Sequence, residues 1–398
     1  MIDLIVNFLL YAGFAFFLYK RHCGVSVNVL VFSFLAIIAF IGVCIYDTEY
    51  YNWGYYNWCL DHTRNKISFS PLLFLFIGFL IYYISIARVN TNEIKTIGQI
   101  APWAENALYY INVIFLILFL ITFRNAASNI SDFADSYKDG FNGATYGFFG
   151  RYAMSIGSSL KLIQFILPYY LFTKNNKSAY LKGILLLCLT FAMLYLKSKL
   201  IGSRGVLFFA IIYTLFMFYF FKGFFSNKLK KLFCIVGGIV IFLFASLAIA
   251  ISFDRFGEKL IFSIASYFGE PFLNFPLIYW NYPNFFEGKV ILSEIFGGSS
   301  FYIPIGIDFF KTLPGSIYLD FGIVGTLIFL IIYALIGRLF LGSFKENITL
   351  SQLYVYTFLY QGLIFGAFSF DVYNWKSYFI MFLIYLFLRV TKRETVYE

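Results

Sequence analysis

LFCIVGGIVIFLFASLAIAI, residues 232–251, is twenty residues long and contains no charge, no amide and no proline. An α-helix of about 20 apolar residues is long enough to cross the ~30 Å hydrocarbon core of a bilayer. Ten further runs of similar character are spread along the chain, at 2–19, 25–46, 71–87, 107–123, 152–172, 181–196, 205–221, 317–337, 353–368 and 372–388. Eleven such segments would take up about 220 residues, more than half of the 398. Composition agrees. The chain is 61% hydrophobic and 13% charged, with a mean hydropathy of +0.79, whereas a soluble domain is roughly half apolar and a quarter charged. A soluble enzyme with a membrane tail is excluded, and so is an outer-membrane barrel, whose strands would alternate. The expected fold is all-α, a polytopic integral membrane helix bundle of about eleven (ten to twelve) transmembrane helices with one large extracytoplasmic loop. Helices one to eight would occupy 1–251, the loop 252–316, and helices nine to eleven with a cytoplasmic carboxy terminus 317–398.

Charge sets the orientation. Asp3 stands where a leader peptide would be basic, and Lys20 and Arg21 follow the first run, so 2–19 reads as a first span and not a cleaved signal. With the amino terminus outside, the inner segments carry sixteen basic and five acidic residues, and the outer segments thirteen and fifteen. This is the bias of the positive-inside rule. The net charge of +10 is therefore an orientation signal and no sign of nucleic-acid binding. One basic loop breaks the pattern: Lys197, Lys199 and Arg204, between the sixth and seventh runs, face outward on this topology. Either the span count is off or the outward charge has a use.

The outer side also holds the one long hydrophilic segment, 252–316. Residues 254–268 and 288–296 have an amphipathic helical rhythm suited to the membrane interface. Pro271, Pro276, Pro283, Pro304 and Pro314 are expected to divide it into short pieces. A structureless loop of this length is uncommon, and a lid or a site is the usual reason for one.

Charges within or at the edges of spans are functional candidates by default. Lys161 lies near the middle of the fifth run, one turn before Gln164, and has to face a polar cavity, pair, or snorkel. Arg204 lies between Ser203 and Gly205 at the start of the seventh, either presenting its planar fork to phosphate oxygens or meeting lipid head groups. Asp254 and Arg255 follow the eighth and could form a local ion pair. In YFGEPFLNF (267–275), Tyr267, Glu270 and Asn274 offer an aromatic face, a carboxylate and an amide, a set suited to sugars; an aromatic re-entrant segment would look the same. Proline at 271 biases Glu270 away from helix. Asp320, in YLDFGIVG (318–325), would sit just below the outer surface beside an outer cation.

Other chemistries lack their residues. Five scattered cysteines and two distant histidines form neither a disulfide framework nor a zinc pattern. There is no Walker motif, no GxGxxG and no HExxH. No cofactor and no metal is expected.

The order of GSRG (202–205), DRF (254–256), YFGEP (267–271) and YLDFGIVG (318–325) along a multi-span chain resembles the bacterial O-antigen and capsule repeat-unit polymerases, the Wzy group. The resemblance implies a glycosyltransferase of the bacterial inner membrane, with its site facing the exterior. Its substrates would be oligosaccharides on undecaprenyl pyrophosphate, with a chain-length regulator as a further partner. It implies that Arg204 and Arg255 stabilise the leaving pyrophosphate, helped by Lys161, Lys197 and Lys199. Glu270 would be the first candidate base, followed by Asp254 and Asp320. Tyr267 and Asn274 would contact glycan. Two departures stand out. The family's span count is usually even, with both ends inside. The related O-antigen ligases are expected to carry a histidine in the large loop, and 252–316 has none; His62 lies in the first outer loop.

Two other functions compete. A lipid-linked-oligosaccharide flippase would show charge in many spans and two comparable halves. An acyltransferase or other modifier of surface glycans would need an inside donor and usually a membrane histidine.

Overall fold

The computed structural model describes residues 1–46, 67–128, 147–174, 176–200, 204–256, 260–296, 312–344, 346–368 and 375–393. His62, Gly202, Ser203, Pro304, Lys345, Glu394 and Glu398 lie outside the described residues. The protein is all-helical. Among the described residues there are thirteen α-helices: α1 Ile2–Arg21, α2 Val27–Ile45, α3 Phe69–Tyr83, α4 Pro102–Ser128, α5 Gly147–Phe172, α6 Lys177–Leu200, α7 Arg204–Phe221, α8 Asn227–Phe256, α9 Leu260–Leu277, α10 Lys289–Phe296, α11 Leu313–Leu341, α12 Leu350–Phe365 and α13 Trp375–Val390. The strands among these residues are one parallel pair, β1 Thr96–Ile97 and β2 Asn347–Ile348.

Each of the eleven apolar runs falls on one of these helices, because a continuous apolar run can satisfy its backbone in lipid only as a helix. Seven helices are long and apolar enough to cross a membrane: α1, α2, α4, α6, α7, α8 and α11. The helices at Phe69–Tyr83, Leu350–Phe365 and Trp375–Val390, at 15, 16 and 16 residues, are shorter than a full crossing. α8 is the most apolar of the seven, and almost none of its side chains are buried. Ile235, Ile239, Phe242 and Leu243 point outward. Such a surface is stable only against lipid, so the chain is a multi-pass membrane protein.

The chain forms two compact units. The first comprises 1–94, 262–346 and 355–376, the second 95–261, 347–354 and 377–398. In the first, α1 packs along α2 and α3, and α3 along α11. The turn after α1 is held by polar bonds: the Asn28 amide donates to Val89 C=O (2.8 Å), Val27 N–H to Thr91 Oγ1 (3.1 Å) and the Tyr356 hydroxyl to Asn28 Oδ1 (3.1 Å). α9 lies so close to α2 that a Cβ on Gly269 would meet Ile45 Cδ1 at 2.6 Å and Gly42 N at 3.0 Å.

Two sequence expectations are corrected here. Pro271 and Pro276 do not divide the segment; both lie inside α9, and Glu270 is helical. The reason is burial: 271–279 are all buried, and apolar packing outweighs the lost amide and the local bias of the pre-proline residue. Residues 254–256 belong to α8 and do not start the next helix.

In the second unit α4, α5, α6, α7 and α8 pack as neighbours. Rings from Tyr169, Phe172, Phe221, Phe225 and Phe233 bind the end of α5 to the α7–α8 turn, with Phe225 and Phe233 stacked at 5.2 Å. The Tyr170 hydroxyl accepts the Ile100 N–H (3.3 Å), and Lys174 pairs with Glu105. The starts of α4, α6 and α8 and the ends of α5 and α7 therefore gather at one end of this unit. That end carries Lys95, Lys174, Lys177, Lys182, Lys222, Lys228, Lys230 and Lys231.

His22, in the α1–α2 turn, is buried, with Nδ1 2.8 Å from Ser26 Oγ. Burial first, then the Arg21 charge, lowers its pKa from 6.5, against an upward pull from Glu93. A depressed folded pKa means that the unfolded chain takes up its proton first as pH falls. Stability is therefore complete above about 6.5 and declines below it. Thermal unfolding in detergent should show a midpoint that drops from pH 7 to pH 5.5 in the wild type and is flatter in His22→Asn. Equal slopes would remove His22 from the balance.

Candidate functional site

The best-defined polar construction in the first unit surrounds Asp320. α11 is bent at Gly322, whose φ of 66° and ψ of −169° belong to a region open essentially only to glycine. In a straight helix the amides of 322, 323 and 324 would take the carbonyls of 318, 319 and 320. The bend frees those carbonyls, and the segment after α9 takes them up. Asn284 N–H donates to Tyr318 C=O (3.1 Å), Phe286 N–H to Leu319 C=O (3.0 Å) and Gly288 N–H to Asp320 C=O (2.9 Å).

The Asp320 side chain completes the joint. It is fully buried and accepts from Val290 N–H (Oδ1, 3.2 Å) and Ile291 N–H (Oδ2, 2.8 Å), the otherwise unpaired amides at the start of α10. The helix N-terminus favours the negative charge it receives. Asp320 thus binds backbone amides thirty residues upstream. Nearby, the Tyr318 hydroxyl donates to Trp280 C=O (2.7 Å) and the two rings stack at 5.2 Å, with Phe74 and Phe275 against them.

Tyr267, Glu270 and Asn274 follow one another at spacings of three and four in α9, so they share a face. Tyr267 and Glu270 are half-buried and Asn274 is fully buried. The Tyr267 ring meets Phe368 at 5.6 Å. The face therefore runs from an aromatic and a carboxylate at its accessible part to an amide inside.

The remaining candidates belong to the second unit. Lys161 is half-buried in α5, its Nζ 4.9 Å from the Tyr213 ring and 5.4 Å from the Phe209 ring on α7, within cation–π range. Lys197 and Lys199 occupy the last turn of α6, the end a helix dipole stabilises with cations. Only three residues separate Leu200 from Arg204, and α6 packs on α7. Arg204 is the first described residue of α7, at the end where the dipole opposes a cation. Helix stability therefore explains Lys197 and Lys199 and leaves Arg204 unexplained. Asp254 and Arg255 lie in the last turn of α8. The contact of Phe191 with Phe244 (5.7 Å) aligns α6 with α8, which sets Lys197, Lys199 and residues 254–255 at the end of this unit away from its lysine-rich end.

Buried polar atoms without a hydrogen-bond partner add residues the sequence marked weakly or not at all. Among the described residues they include the Asn7 amide and Tyr11 hydroxyl in α1, and the Gln164 amide one turn after Lys161. Among the described residues no three of His, Cys, Asp and Glu stand close enough to hold a metal ion.

What these features define is a multi-pass α-helical membrane protein with a packed polar joint in one unit and a cation-bearing helix turn in the other. No protein-family model, no curated protein and no solved structure matches the chain.

Two substitutions test the joint. Gly322→Ala should cost ~1–3 kcal/mol through backbone conformation alone, because its nearest neighbour, Asn284 Cβ, would be 3.7 Å away and leaves room for the methyl group. Unchanged thermal unfolding would rule out the strain. Asp320→Ala leaves two amides unpaired at about 1–3 kcal/mol each, and should open 284–296 to limited proteolysis. Asp320→Asn keeps an acceptor and should lose less. Equal protection in both variants and the wild type would dismiss the latch.

Proposed function

We propose that this protein polymerises lipid-linked oligosaccharide repeat units at the outer leaflet of a bacterial inner membrane. The observation that carries the reading is Arg204. It is a cation at a helix start that its own helix does not favour, five residues after Lys199 and seven after Lys197, in a motif order resembling the repeat-unit polymerases. The fuller topology belongs to the same proposal: about eleven spans, with 252–316 as an outer cap. The ordered joint of α9, α10 and Asp320 supports a cap built to hold something in place.

The reaction is a displacement at the anomeric carbon. The bond from that carbon to the donor's pyrophosphate oxygen breaks, and the bond to an acceptor hydroxyl oxygen forms. The hydroxyl proton passes to a base, and undecaprenyl pyrophosphate leaves with the electron pair. The leaving group needs charge stabilisation more than protonation. Arg204 and Arg255 would supply it, with Lys161, Lys197 and Lys199 adding to the field. Fixed donors in a water-poor site are worth several times their value in water. Glu270 is the first candidate base, with Asp254 next. The capping role of Asp320 makes it a positioning residue in this scheme. Tyr267 would offer a ring to a sugar face and Asn274 an amide to its hydroxyls. A length-regulating partner comes from the resemblance alone.

The test is a strain lacking the gene, complemented with wild type, Arg204→Ala or Arg255→Ala, with each protein confirmed in the membrane. Gel analysis of the surface glycan should show a ladder with wild type and a single-repeat band in the deletion. Arg204→Ala should give the single band, a loss of at least ~100-fold in long chains if it supplies one transition-state donor. If the deletion loses the single-repeat band and lipid-linked units collect on the inner leaflet, the protein is a flippase and the polymerase reading fails.

A further inference from the structure

At the lysine-rich end of the second unit, the start of α4 and the end of α13 are tied by backbone bonds. Ala101 N–H donates to Thr391 C=O (2.9 Å) and Arg393 N–H to Gln99 C=O (2.9 Å), and Ile100 bridges Lys392. Beside this tie lies a groove of about 410 Å³. Trp103, Leu386, Phe387 and Val390 form its apolar wall, and Lys392 and Arg393 its cationic part. Trp103 stands edge-on to Phe387 at 5.7 Å, yet is 63% exposed, and Val390 is 82% exposed. Lys392 and Arg393 are exposed, and among the described residues no carboxylate pairs with either. Glu105, a carboxylate at this end of the unit, is already paired with Lys174.

We propose that this groove seats an anionic phospholipid, its phosphate between Lys392 and Arg393 and its first methylenes along Trp103, Phe387 and Val390. The proposal is independent of the reaction above. Three observations select the occupant. Two exposed cations that no carboxylate among the described residues pairs with call for an anion. An apolar wall left exposed beside them calls for a hydrocarbon joined to that anion, which free phosphate lacks. The groove sits where an apolar helix of sixteen residues gives way to charge, with a tryptophan at the boundary, the depth of a lipid headgroup. Its volume lies within the ~300–1,000 Å³ of small-molecule sites and suits a headgroup with the start of its chains. Cationic residues between membrane helices are known means of holding acidic lipids.

The test uses the full-length protein, purified in detergent and delipidated. Phosphatidylglycerol, phosphatidylcholine or inorganic phosphate is added. Native mass spectrometry counts bound lipid, and thermal unfolding reads stabilisation. Phosphatidylglycerol should bind and raise the unfolding midpoint, and the other two should not. Lys392→Gln with Arg393→Gln should weaken phosphatidylglycerol binding on the order of 25-fold, the effect of losing two interfacial cations. The charge-conserving pair Lys392→Arg with Arg393→Lys should retain it. On the wild type, raising NaCl from about 50 to 500 mM should strip the lipid by screening, a readout that stands even if the glutamine variant fails to fold. Equal retention by the glutamine variant, equal binding of phosphatidylcholine, equal stabilisation by inorganic phosphate, or salt-insensitive retention would each overturn the proposal.

Discussion

A peptide group that leaves its helical ladder inside a bilayer has no water to turn to, and an unpaired one costs several kcal/mol. The first unit is arranged around this constraint. Bending α11 at Gly322 would orphan three carbonyls, and the 284–288 segment supplies three amides to them. α10 then starts with its own orphan amides, and the Asp320 carboxylate supplies two acceptors. Each element covers the defect of the other, so the bend and the folded segment depend on each other. A negative charge can be buried here because two directed N–H groups and a helix N-terminus solvate it in place of water.

The second unit solves a different problem, the placement of cations. At one end they are numerous and some have local partners: Lys174 pairs with Glu105, and Lys182 donates to Asn106 Oδ1 at 2.7 Å and lies 5.4 Å from the Tyr109 ring. At the other end they are few. Two of them, Lys197 and Lys199, stand where a helix dipole welcomes them, and Arg204 stands where it does not. Charge at a helix end is worth ~0.3–1 kcal/mol at an exposed site and more where partly buried. A cation held against that preference is a better marker of a ligand than one that follows it.

Much of the helical architecture was legible because length and apolarity are local properties. Each apolar run needs only itself to become a helix. α9 was not legible in the same way. Its two prolines and its pre-proline glutamate speak against helix locally, and they are overruled by contacts with α2 that require Gly42 and Gly269 to face each other. Gly322 passed unnoticed, since one glycine in an apolar run carries no signal of its own until the backbone is seen. Asp320 was legible as important and illegible in its role, because its partners are main-chain amides thirty residues away and amides have no sequence signature. Spacing alone set Tyr267, Glu270 and Asn274 on one face once α9 was known to be helical. Asn7 and Tyr11 were hidden among the apolar residues of the first run.

The same reasoning bears on where chemistry can be done. Lys161 lies against two aromatic rings, within cation–π range of both. One turn away, the buried Gln164 amide has neither a donor nor an acceptor opposite it. A packed core gains nothing from that pair of residues, and replacing Gln164 with leucine would remove an unpaired amide at little steric cost. A buried amide kept at such expense is intelligible as a group that waits for a polar partner, and α5 carries it one turn from Lys161.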